Sequence, residues 1–343
     1  MKAAVLREGS RFVVEDLPDP TPTGRQVVIR VTYCGICGSD LHLLRAGALA
    51  EGSVLGHEIV GEITALGPDA RGFEVGDRVT TLSAVPCDSC DACREARYRS
   101  CEKGLQVFGY TGLTGGYAEY VLTQTSALEK APPDLSDTAA ALNEPAMVGL
   151  YAARTSRVRT GDNVAIIGAG PIGLLVLQSV LLLNPANCWV FETSPGRRAK
   201  ALECGATAVF DPREVDAAAF FQANCEMGGP DVVFECAGAR GTLQTALEWV
   251  RPGGQVVLPG VNMDLDEVSP LTMVAKECEI KASLGGMELF RTALDLIAAG
   301  KLQPEKMVTR VVGLDEVDEV CRILGTADND DVKVLVAPGK GLR

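Results

Sequence analysis

The stretch that decides the fold is Asn163-Val-Ala-Ile-Ile-Gly168-Ala-Gly-Pro-Ile-Gly173, an apolar run followed by a glycine-rich turn. The apolar residues favour a buried strand, and the glycines follow the pattern G-x-G-x-x-G at the start of a helix. In that pattern Gly168 allows a tight turn, Gly170 lets the backbone approach a pyrophosphate, and Gly173 lets the helix pack on the strand. The stretch therefore predicts a dinucleotide-binding βαβ unit.

An acidic residue follows this turn at the spacing that dinucleotide sites use. Glu192 stands about 20 residues further on, at the end of the next predicted strand. A carboxylate there accepts hydrogen bonds from the adenosine ribose hydroxyls and repels a 2′-phosphate. Arg197 and Arg198 complicate the choice of cofactor, because nearby arginines can accept a 2′-phosphate. We predict NAD, with NADP less favoured.

Strands and helices alternate around this stretch, which predicts a parallel sheet with crossover helices. The predicted strands are 163–167, 188–191, 231–235, 255–258 and 279–282, and predicted helices begin at residues 171, 197 and 242. Residues 1 to about 130 read as short strands between glycines and prolines, which is typical of a β-barrel-like domain. The alanine-rich segment 135–158 predicts one helix, and the segment 290–299 predicts an amphipathic helix. The segments 308–312 and 332–336 predict two strands, by which the tail of the chain rejoins the first domain.

The composition is that of an acidic protein with an ordinary core. The 343 residues indicate roughly two domains, and 47% of them are hydrophobic. A net charge of -13 argues against nucleic-acid binding, which needs a basic face. Residues 1–8 lack the apolar core of a secretory signal, and the apolar run 172–183 is shorter than the ~20 residues of a membrane span. We expect no nucleic-acid partner, no membrane partner and a cytoplasmic location.

Four cysteines share one short segment, Cys87-x-x-Cys90-x-x-Cys93-x7-Cys101. Four thiolates at this spacing can close a tetrahedron around zinc and leave no open position. Because no export signal is present, the 12 cysteines favour metal binding over disulfides. An iron–sulfur cluster is an alternative, but no proline follows Cys101 as in the bacterial ferredoxin run. The segment predicts a structural zinc site.

Both histidines of the chain lie near one cysteine. Cys37-Gly-Ser-Asp-Leu-His42 is followed by Gly56-His57-Glu58. A catalytic zinc takes a few ligands from Cys, His and Asp or Glu, and keeps one position open for water or substrate. Cys37 and His57 supply a thiolate and an imidazole, and the carboxylates of Glu58 and Glu144 could complete the set.

Together these motifs resemble the zinc-dependent medium-chain dehydrogenase/reductase family, which includes alcohol, sorbitol, butanediol and threonine dehydrogenases. The motifs occur in the family's order: Cys37–His42, Gly56–Glu58, the four-cysteine segment, Gly115-Gly-Tyr-Ala-Glu-Tyr120, Asn143-Glu-Pro145 and Gly168–Gly173. The resemblance implies an α/β fold with two domains. Residues 1–150 and 285–343 would form a GroES-like β-rich catalytic domain with both zinc sites, and 151–284 a doubly wound parallel-sheet Rossmann domain that binds NAD. It also implies a homodimer or homotetramer.

The resemblance assigns roles to single residues, with two zinc ions per subunit and NAD as cofactors. Cys37, His57 and Glu144 would hold the catalytic zinc, and Glu58 would enter or leave its coordination shell. Ser39 and His42 stand at proton-relay positions, and Asp40 would orient the histidine ligand. The implied cofactor contacts are Gly168, Gly170, Pro171, Ile172, Gly173, Glu192, Arg197, Pro259, Gly260 and Leu284. The implied chemistry is Lewis-acid activation of an alcohol, proton loss through Ser39, the cofactor ribose and His42, and hydride transfer to the nicotinamide.

The residues after the predicted strand 279–282 bear on the substrate. Sorbitol and threonine dehydrogenases usually place arginine or other polar groups there, whereas this chain has Ser283-Leu-Gly-Gly-Met287. This predicts an apolar, open wall, and an oxidoreductase that interconverts an alcohol, preferably a secondary one, and the corresponding ketone or aldehyde. One alternative is a zinc-free quinone or enoyl reductase of the same fold, which would lack the ligand set. Another is a non-enzymatic binding relative, which would have lost a ligand or the glycine pattern.

Overall fold

Two large sheets organise the protein. The computed structural model describes residues 1–87, 89–95, 97–324 and 329–340. The strands are β1 (Lys2–Arg7), β2 (Arg11–Asp16), β3 (Gln26–Gly35), β4 (Glu58–Leu66), β5 (Arg78–Thr81), β6 (Ala84–Val85), β7 (Gln106–Val107), β8 (Tyr120–Gln124), β9 (Leu128–Lys130), β10 (Asn163–Ile167), β11 (Asn187–Phe191), β12 (Ala208–Phe210), β13 (Val232–Glu235), β14 (Gln255–Leu258), β15 (Glu279–Ala282), β16 (Val308–Val312) and β17 (Lys333–Val336). The helices are α1 (Gly38–Arg45), α2 (Asp91–Arg94), α3 (Asp137–Ala141), α4 (Asn143–Thr155), α5 (Pro171–Leu181), α6 (Pro195–Glu203), α7 (Ala217–Asn224), α8 (Thr242–Trp249), α9 (Pro270–Lys276), α10 (Phe290–Ala298) and α11 (Val317–Leu324).

The first sheet has six strands in the order β12-β11-β10-β13-β14-β15, and all of its pairs are parallel. A helix joins each strand to the next along the chain, as parallel pairing requires. The strand order reverses between β10 and β13, so the carboxyl end of β10 lies at the switch point where such sheets bind ligands. The predicted doubly wound Rossmann sheet is confirmed.

The core of this sheet explains its apolar sequence. Val164, Ala165 and Ile166 of β10 have no exposed surface, because helices cover both faces of a parallel sheet. Helix α5 packs beside β10 with Leu174 to Leu177 fully buried, so most of the apolar run 172–183 forms a buried helix, which ends at Leu181 before the exposed Leu182. In the described ranges no helix combines the length and the apolar content that crossing a membrane would need.

The second sheet holds the β-rich part of the chain together. Its order is β16-β17-β3-β4-β5-β9, and β8 also pairs with β3. The long strand β3 is central, and β17 runs antiparallel to it with Leu335 opposite Gly35. The prediction that the tail rejoins the first domain is therefore confirmed. This pairing also brings residue 333 of the tail beside the end of β3, where the candidate site lies.

The prediction of one helix over residues 135–158 is wrong. The structure has two helices, α3 and α4, which meet at Leu142. Ser136 caps α3, since its hydroxyl accepts a hydrogen bond from the amide of Ala139 at 3.2 Å. The restart at Asn143 places Pro145 in the first turn of α4, where a missing backbone N–H costs nothing. In a continuous helix the same proline would have broken the hydrogen bond to Ala141.

Candidate active site and metal centres

Three of the predicted catalytic metal ligands converge in the structure. Cys37 precedes the first residue of α1, and His57 and Glu58 stand at the start of β4. Their ligand atoms, a sulfur, an imidazole nitrogen and a carboxylate oxygen, all lie within 4.8 Å of one another. His57 and Glu58 are buried and Cys37 is half-buried. The three side chains are thus close enough to share one cation.

The surroundings of His57 fit a cation as well. Its buried Nδ1 lies 3.7 Å from Oδ1 of Asp40 and has no hydrogen-bond partner among the described residues. Burial alone lowers the pKa of His57, but the negative charges of Cys37 and Asp40 raise that pKa well above its usual value. Negative charge is therefore concentrated around a buried imidazole, which is what a divalent cation would neutralise.

Glu144, the fourth predicted ligand, stands slightly apart. It lies in the first turn of α4, is buried, and does not belong to the group of three within 4.8 Å. Burial raises the pKa of Glu144, the charge of His57 lowers it, and Glu58 raises it again. These interactions, with a hydrogen bond to Ser83, place its carboxylate near the same centre.

A buried lysine that the sequence interpretation missed holds Glu58. Nζ of Lys333 donates to Oε1 of Glu58 at 2.8 Å, to Oε2 at 2.9 Å, and to the carbonyl of Ile36 at 3.0 Å. Only 1% of each charged side chain is exposed. The signal in the sequence is a single lysine inside the apolar strand Val332-Lys-Val-Leu-Val336. A buried lysine is rare unless it is paired, so a carboxylate partner is expected for Lys333.

The predicted proton-relay residues Ser39 and His42 both lie on α1, but no hydrogen bond joins them in the described part of the chain. Oγ of Ser39 lies 3.2 Å from Sγ of Cys37 and 2.9 Å from the hydroxyl of Tyr110. His42 is half-buried, and burial followed by the charge of Arg45 lowers its pKa. His42 is therefore mostly neutral at pH 7 and able to accept a proton.

Two tyrosines that the sequence interpretation did not single out complete this side of the site. Tyr110 donates to Oδ1 of Asp40 at 2.6 Å, and Tyr117 donates to Oδ2 at 2.8 Å. Asp40 is fully buried, so these bonds fix the carboxylate that faces His57. Tyr117 lies within the motif Gly115–Tyr120, where it could have been noticed, whereas nothing around Tyr110 distinguishes it.

The four-cysteine segment forms a second centre. The sulfur atoms of Cys87, Cys90, Cys93 and Cys101 all lie within 4.8 Å of one another, and those of Cys87 and Cys93 are 3.8 Å apart. Hydrogen bonds from the side chain and backbone of Ser89 lower the pKa of the Cys87 thiol to about 5. The metal-binding thiolate is thus favoured at neutral pH. Four converging sulfurs match a closed tetrahedral site without an open position.

The glycine turn at the end of β10 leaves room where a dinucleotide would lie. Gly168 has φ +95°, and a Cβ there would come within 2.9 Å of the amide nitrogen of Ala237. Gly170 faces open space, whereas Gly173 packs against the backbone of Gly168. Pro171 is the first residue of α5, whose N-terminus points toward this space, and Ile172 follows half-buried. Such a helix N-terminus attracts an anion.

The other predicted cofactor contacts lie at the same edge of the sheet. Pro259 and Gly260 directly follow β14, and Leu284 follows β15 after one buried serine. Leu284 is 62% exposed. All these residues therefore line the crevice outside the carboxyl ends of the strands, where ligands of such sheets bind.

Glu192 is tied to the glycine turn. Its Oε2 accepts from the amide of Ala169 at 2.8 Å, and its Oε1 accepts from the amide of Ser194 at 2.9 Å. The nearby arginines are engaged elsewhere. Arg198 and Arg213 both bind the carboxylate of Asp211, at 3.0 and 2.6 Å, and Nη2 of Arg197 donates to the carbonyl of Asp331 at 3.1 Å. In this structure Arg197 is thus directed to the tail of the chain.

The wall formed by residues 283–287 differs from the expected apolar surface. Leu284 and Met287 are apolar, but the guanidinium of Arg99 lies directly on Gly285. A Cβ added at Gly285 would stand 2.9 Å from Cζ of Arg99. The expectation of an apolar wall is wrong at this point, because an arginine from the four-cysteine segment crosses to it. Sequence spacing could not have revealed a contact between such distant segments.

Comparisons with known proteins agree with this arrangement. Residues 23–133 match the alcohol dehydrogenase GroES-like domain, and residues 171–299 match the zinc-binding dehydrogenase domain. The chain is 31% identical to sorbitol dehydrogenase of Bacillus subtilis strain 168, over 99% of this chain and 98% of that protein. It is 32% identical to the (R,R)-butanediol dehydrogenase of the same organism, over 98% of this chain and 100% of that protein.

A solved structure from Sinorhizobium meliloti 1021, described as a zinc-binding dehydrogenase bound to NADP, superposes with a TM-score of 0.90. It is 31% identical, over 98% of this chain and 99% of that one. The chain therefore belongs to the zinc-type medium-chain dehydrogenase family. Its GroES-like and Rossmann domains are those of an oxidoreductase that interconverts alcohols and carbonyl compounds.

Proposed function

We propose that the protein is a zinc-dependent, NAD-linked dehydrogenase that interconverts a secondary alcohol and its ketone. The observation that carries this is the convergence of Cys37, His57 and Glu58 within 4.8 Å of one another, with Glu144 nearby. The names of the relatives, sorbitol and (R,R)-butanediol dehydrogenase, support an alcohol substrate. A zinc-free quinone or enoyl reductase would need none of these side chains, and a binding protein would not need to keep them.

In this proposal each metal centre has its own residues, giving two zinc ions per chain. Cys37, His57 and Glu144 would hold the catalytic ion, and Cys87, Cys90, Cys93 and Cys101 the structural one. Glu58 would stay outside the coordination shell while Lys333 occupies both of its oxygens. Bound zinc would supply Lewis acidity that lowers the pKa of the substrate hydroxyl, and NAD would supply the hydride acceptor.

The protein's own residues would then handle the proton. The hydroxyl of Ser39 would accept it from the substrate, because it can rotate between Cys37 and Tyr110. Tyr110 is fixed by Asp40, so the Ser39 hydroxyl keeps a defined position. The proton would reach His42 by way of the ribose hydroxyls of the cofactor, and His42 would pass it to solvent, since its lowered pKa leaves it neutral and its side chain is only partly buried.

The function is tested by an NAD(P)-linked activity screen on primary alcohols, secondary alcohols and polyols, with metal content measured on the same sample. We expect turnover that is fastest with secondary alcohols and two zinc ions per chain. One zinc ion per chain would leave the catalytic centre without its metal. Absence of zinc, or turnover of quinones alone, would contradict the proposal.

A Glu192→Ala variant tests the preference for NAD. The carboxylate would meet a 2′-phosphate with like charge, which costs several kcal/mol. We expect the ratio of kcat/KM for NAD to that for NADP to fall by about 10²-fold, equivalent to about 2.7 kcal/mol. Glu214→Ala is the matched control, because it removes an exposed carboxylate near Arg213. Melting temperature must be compared too, since Glu192 also holds the turn at Ala169.

The outcome of the cofactor experiment is decisive in both directions. A wild-type protein that prefers NADP, as the NADP-bound relative would allow, contradicts the proposal. So does a Glu192→Ala variant with an unchanged ratio. An equal change in Glu214→Ala would assign the effect to general electrostatics and would remove the specific role of Glu192.

We propose that the assembly is a homodimer paired through β15, or a homotetramer made of two such dimers. This strand is an edge of the six-stranded sheet, and Leu271, Val274 and Ile280 beside it are 74%, 73% and 37% exposed. Antiparallel pairing of two copies about Ile280 would set Glu279 opposite Lys281 twice, which favours the pair. A two-fold dimer is also the commonest oligomer.

An Ile280→Lys variant should therefore be monomeric in sedimentation velocity, because two lysines would face each other across the two-fold axis. Val13→Lys is the control, as Val13 is 47% exposed on β2 of the other domain. We expect this control to keep the wild-type mass. A monomeric wild type, or an Ile280→Lys variant of unchanged mass, would contradict the assembly.

We also propose that the domains are divided as the sequence predicts, 1–150 with 285–343 and 151–284 between. Strands β16 and β17 support this, since they join the sheet of the first part. The first boundary would fall inside α4, which spans Asn143–Thr155 and links both parts.

A cytoplasmic location belongs to the proposal as well, because zinc-binding thiolates need a reducing compartment.

A further inference from the structure

Arg99 stands at an unusual place for an arginine of a structural metal segment. It lies in a short turn, Tyr98–Ser100, between the third and fourth cysteines. Its guanidinium rests on Gly285, where an added Cβ would be 2.9 Å from Cζ and 3.0 Å from Nε. Across the described residues it makes no side-chain hydrogen bond and no ion pair. Its charge and its N–H donors are therefore available to a ligand.

The position of Arg99 is at the candidate substrate crevice. Gly285 follows β15 at the carboxyl edge of the parallel sheet, where ligands bind. The next residue, Gly286, packs on Tyr151 of α4. Tyr151 follows Glu144 by two helical turns, which corresponds to about 10 Å along the helix axis. Gly285 and Gly286 thus connect the guanidinium of Arg99 to the helix that carries Glu144.

The four-cysteine segment is also attached to the catalytic centre at both of its ends. Ser83, just before the segment, shares a hydrogen bond with Glu144. Tyr110, just after it, bonds to Ser39 and Asp40. The segment therefore extends from the candidate catalytic residues to the rim of the sheet, and Arg99 is its cationic contact with that rim.

Charge decides what such an arginine would recognise. The protein carries a net charge of -13, so its field repels anions in general. One guanidinium offers five donors in a planar fork that matches carboxylate and phosphate oxygens. Gly285, with φ +92°, has no side chain that would cover this fork. The local site thus opposes the overall charge of the protein.

We propose that Arg99 binds the anionic group of the substrate, so that the protein acts on alcohols that carry a carboxylate or phosphate several carbons from the carbinol. This rests on the proposed dehydrogenase function. In place of a neutral secondary alcohol, the substrate would be an alcohol whose chain is apolar or hydroxylated along its length and carries a negative charge at its far end. The guanidinium would hold that end while the carbinol carbon lies at the catalytic centre.

The test compares neutral and anionic alcohols of equal length in wild type, Arg99→Gln and Arg97→Gln. The pairs are 2-hexanol with 5-hydroxyhexanoate, and sorbitol with sorbitol 6-phosphate, which distinguish carboxylate from phosphate. Arg97 is the control because it is two residues away and paired with Glu95 at 2.6 Å. We expect wild type to favour at least one anionic member by about 10-fold or more in kcat/KM, as a charge-assisted hydrogen bond allows.

In Arg99→Gln this advantage should disappear through a higher KM, and the neutral alcohols should be unaffected. The advantage in wild type should also shrink at high salt. Calorimetric titration of 5-hydroxyhexanoate, sorbitol and sorbitol 6-phosphate into the zinc-loaded protein without NAD gives a readout independent of turnover. There Arg99→Gln should lose affinity for the favoured anionic compound only.

Three results would overturn the inference. They are a wild type without preference for either anion, an equal loss for neutral and anionic alcohols in Arg99→Gln, and a similar loss in Arg97→Gln. An equal loss would mean that Arg99 only packs the segment against the sheet. If no alcohol of any kind is oxidised, the dehydrogenase proposal fails, and the calorimetric comparison still decides whether Arg99 binds the anion.

Discussion

A Cys37→Ala variant is expected to lose turnover by about 10³-fold or more while keeping its stability. Removing the thiolate would take away one ligand of the catalytic metal, whose Lewis acidity is worth several kcal/mol in the transition state. The fold should tolerate the change, because Cys37 is half-buried and its partner Ser39 keeps the hydrogen bond to Tyr110. Initial rates, zinc content and thermal melting on the same samples measure all three consequences.

Cys90→Ala is the matched cysteine variant, and the opposite result is expected. Cys90 is buried in the four-sulfur centre, and structural zinc contributes its binding free energy, about 10–16 kcal/mol in zinc-finger peptides, directly to folding. Loss of one of four sulfurs should lower the free energy of unfolding by several kcal/mol. Equal losses of activity and melting temperature in both variants would show that the two centres do not have separate roles.

A Lys333→Met variant is expected to lower the free energy of unfolding by about 3–5 kcal/mol. Methionine is similar in size but leaves the carboxylate of Glu58 buried without its partner, and this uncompensated charge is what destabilises the fold. Chemical denaturation at fixed zinc concentration measures the effect. Lys301→Met is the control, since Lys301 is exposed and the same substitution there should change stability by less than about 0.5 kcal/mol.

A double variant separates the ion pair from the packing of the lysine chain. Combining Lys333→Met with Glu58→Gln removes both charges, so it should be less destabilised than the sum of the two single changes. The coupling should exceed about 1 kcal/mol. Additive effects, or a Lys333→Met variant as stable as wild type, would contradict the view that Lys333 holds Glu58 by charge.

Much of the Rossmann part could be predicted because its signals are local. The apolar run before Gly168 and the helix from Pro171 were placed at the observed residues, since strand burial and helix starts depend on neighbouring residues. The elements that went unpredicted are short or weakly patterned. Strand β12 has three residues, and α9 exposes Leu271 and Val274, so neither has a clear apolar period.

The candidate ligands were also predictable, since they are chemically unusual residues at short spacings. Four cysteines within one loop, and two histidines beside Cys37, need no knowledge of the fold to be noticed. Their spacing limits how far apart they can lie, so the prediction of the four-sulfur centre needed only chain geometry. The role of each residue in catalysis remains a prediction.

The sequence by itself thus determined the parallel sheet, the glycine turn and the sets of possible metal ligands, because each depends on residues close in the chain. Only the tertiary structure decided which distant residues meet. Lys333 and Glu58 are 275 residues apart, and the pairing of β17 with β3 brings them into contact. Arg99 reaches Gly285 in the same way. Such contacts depend on how distant strands align and how segments fold back on each other. The residues adjacent to a side chain in the sequence therefore do not reveal them.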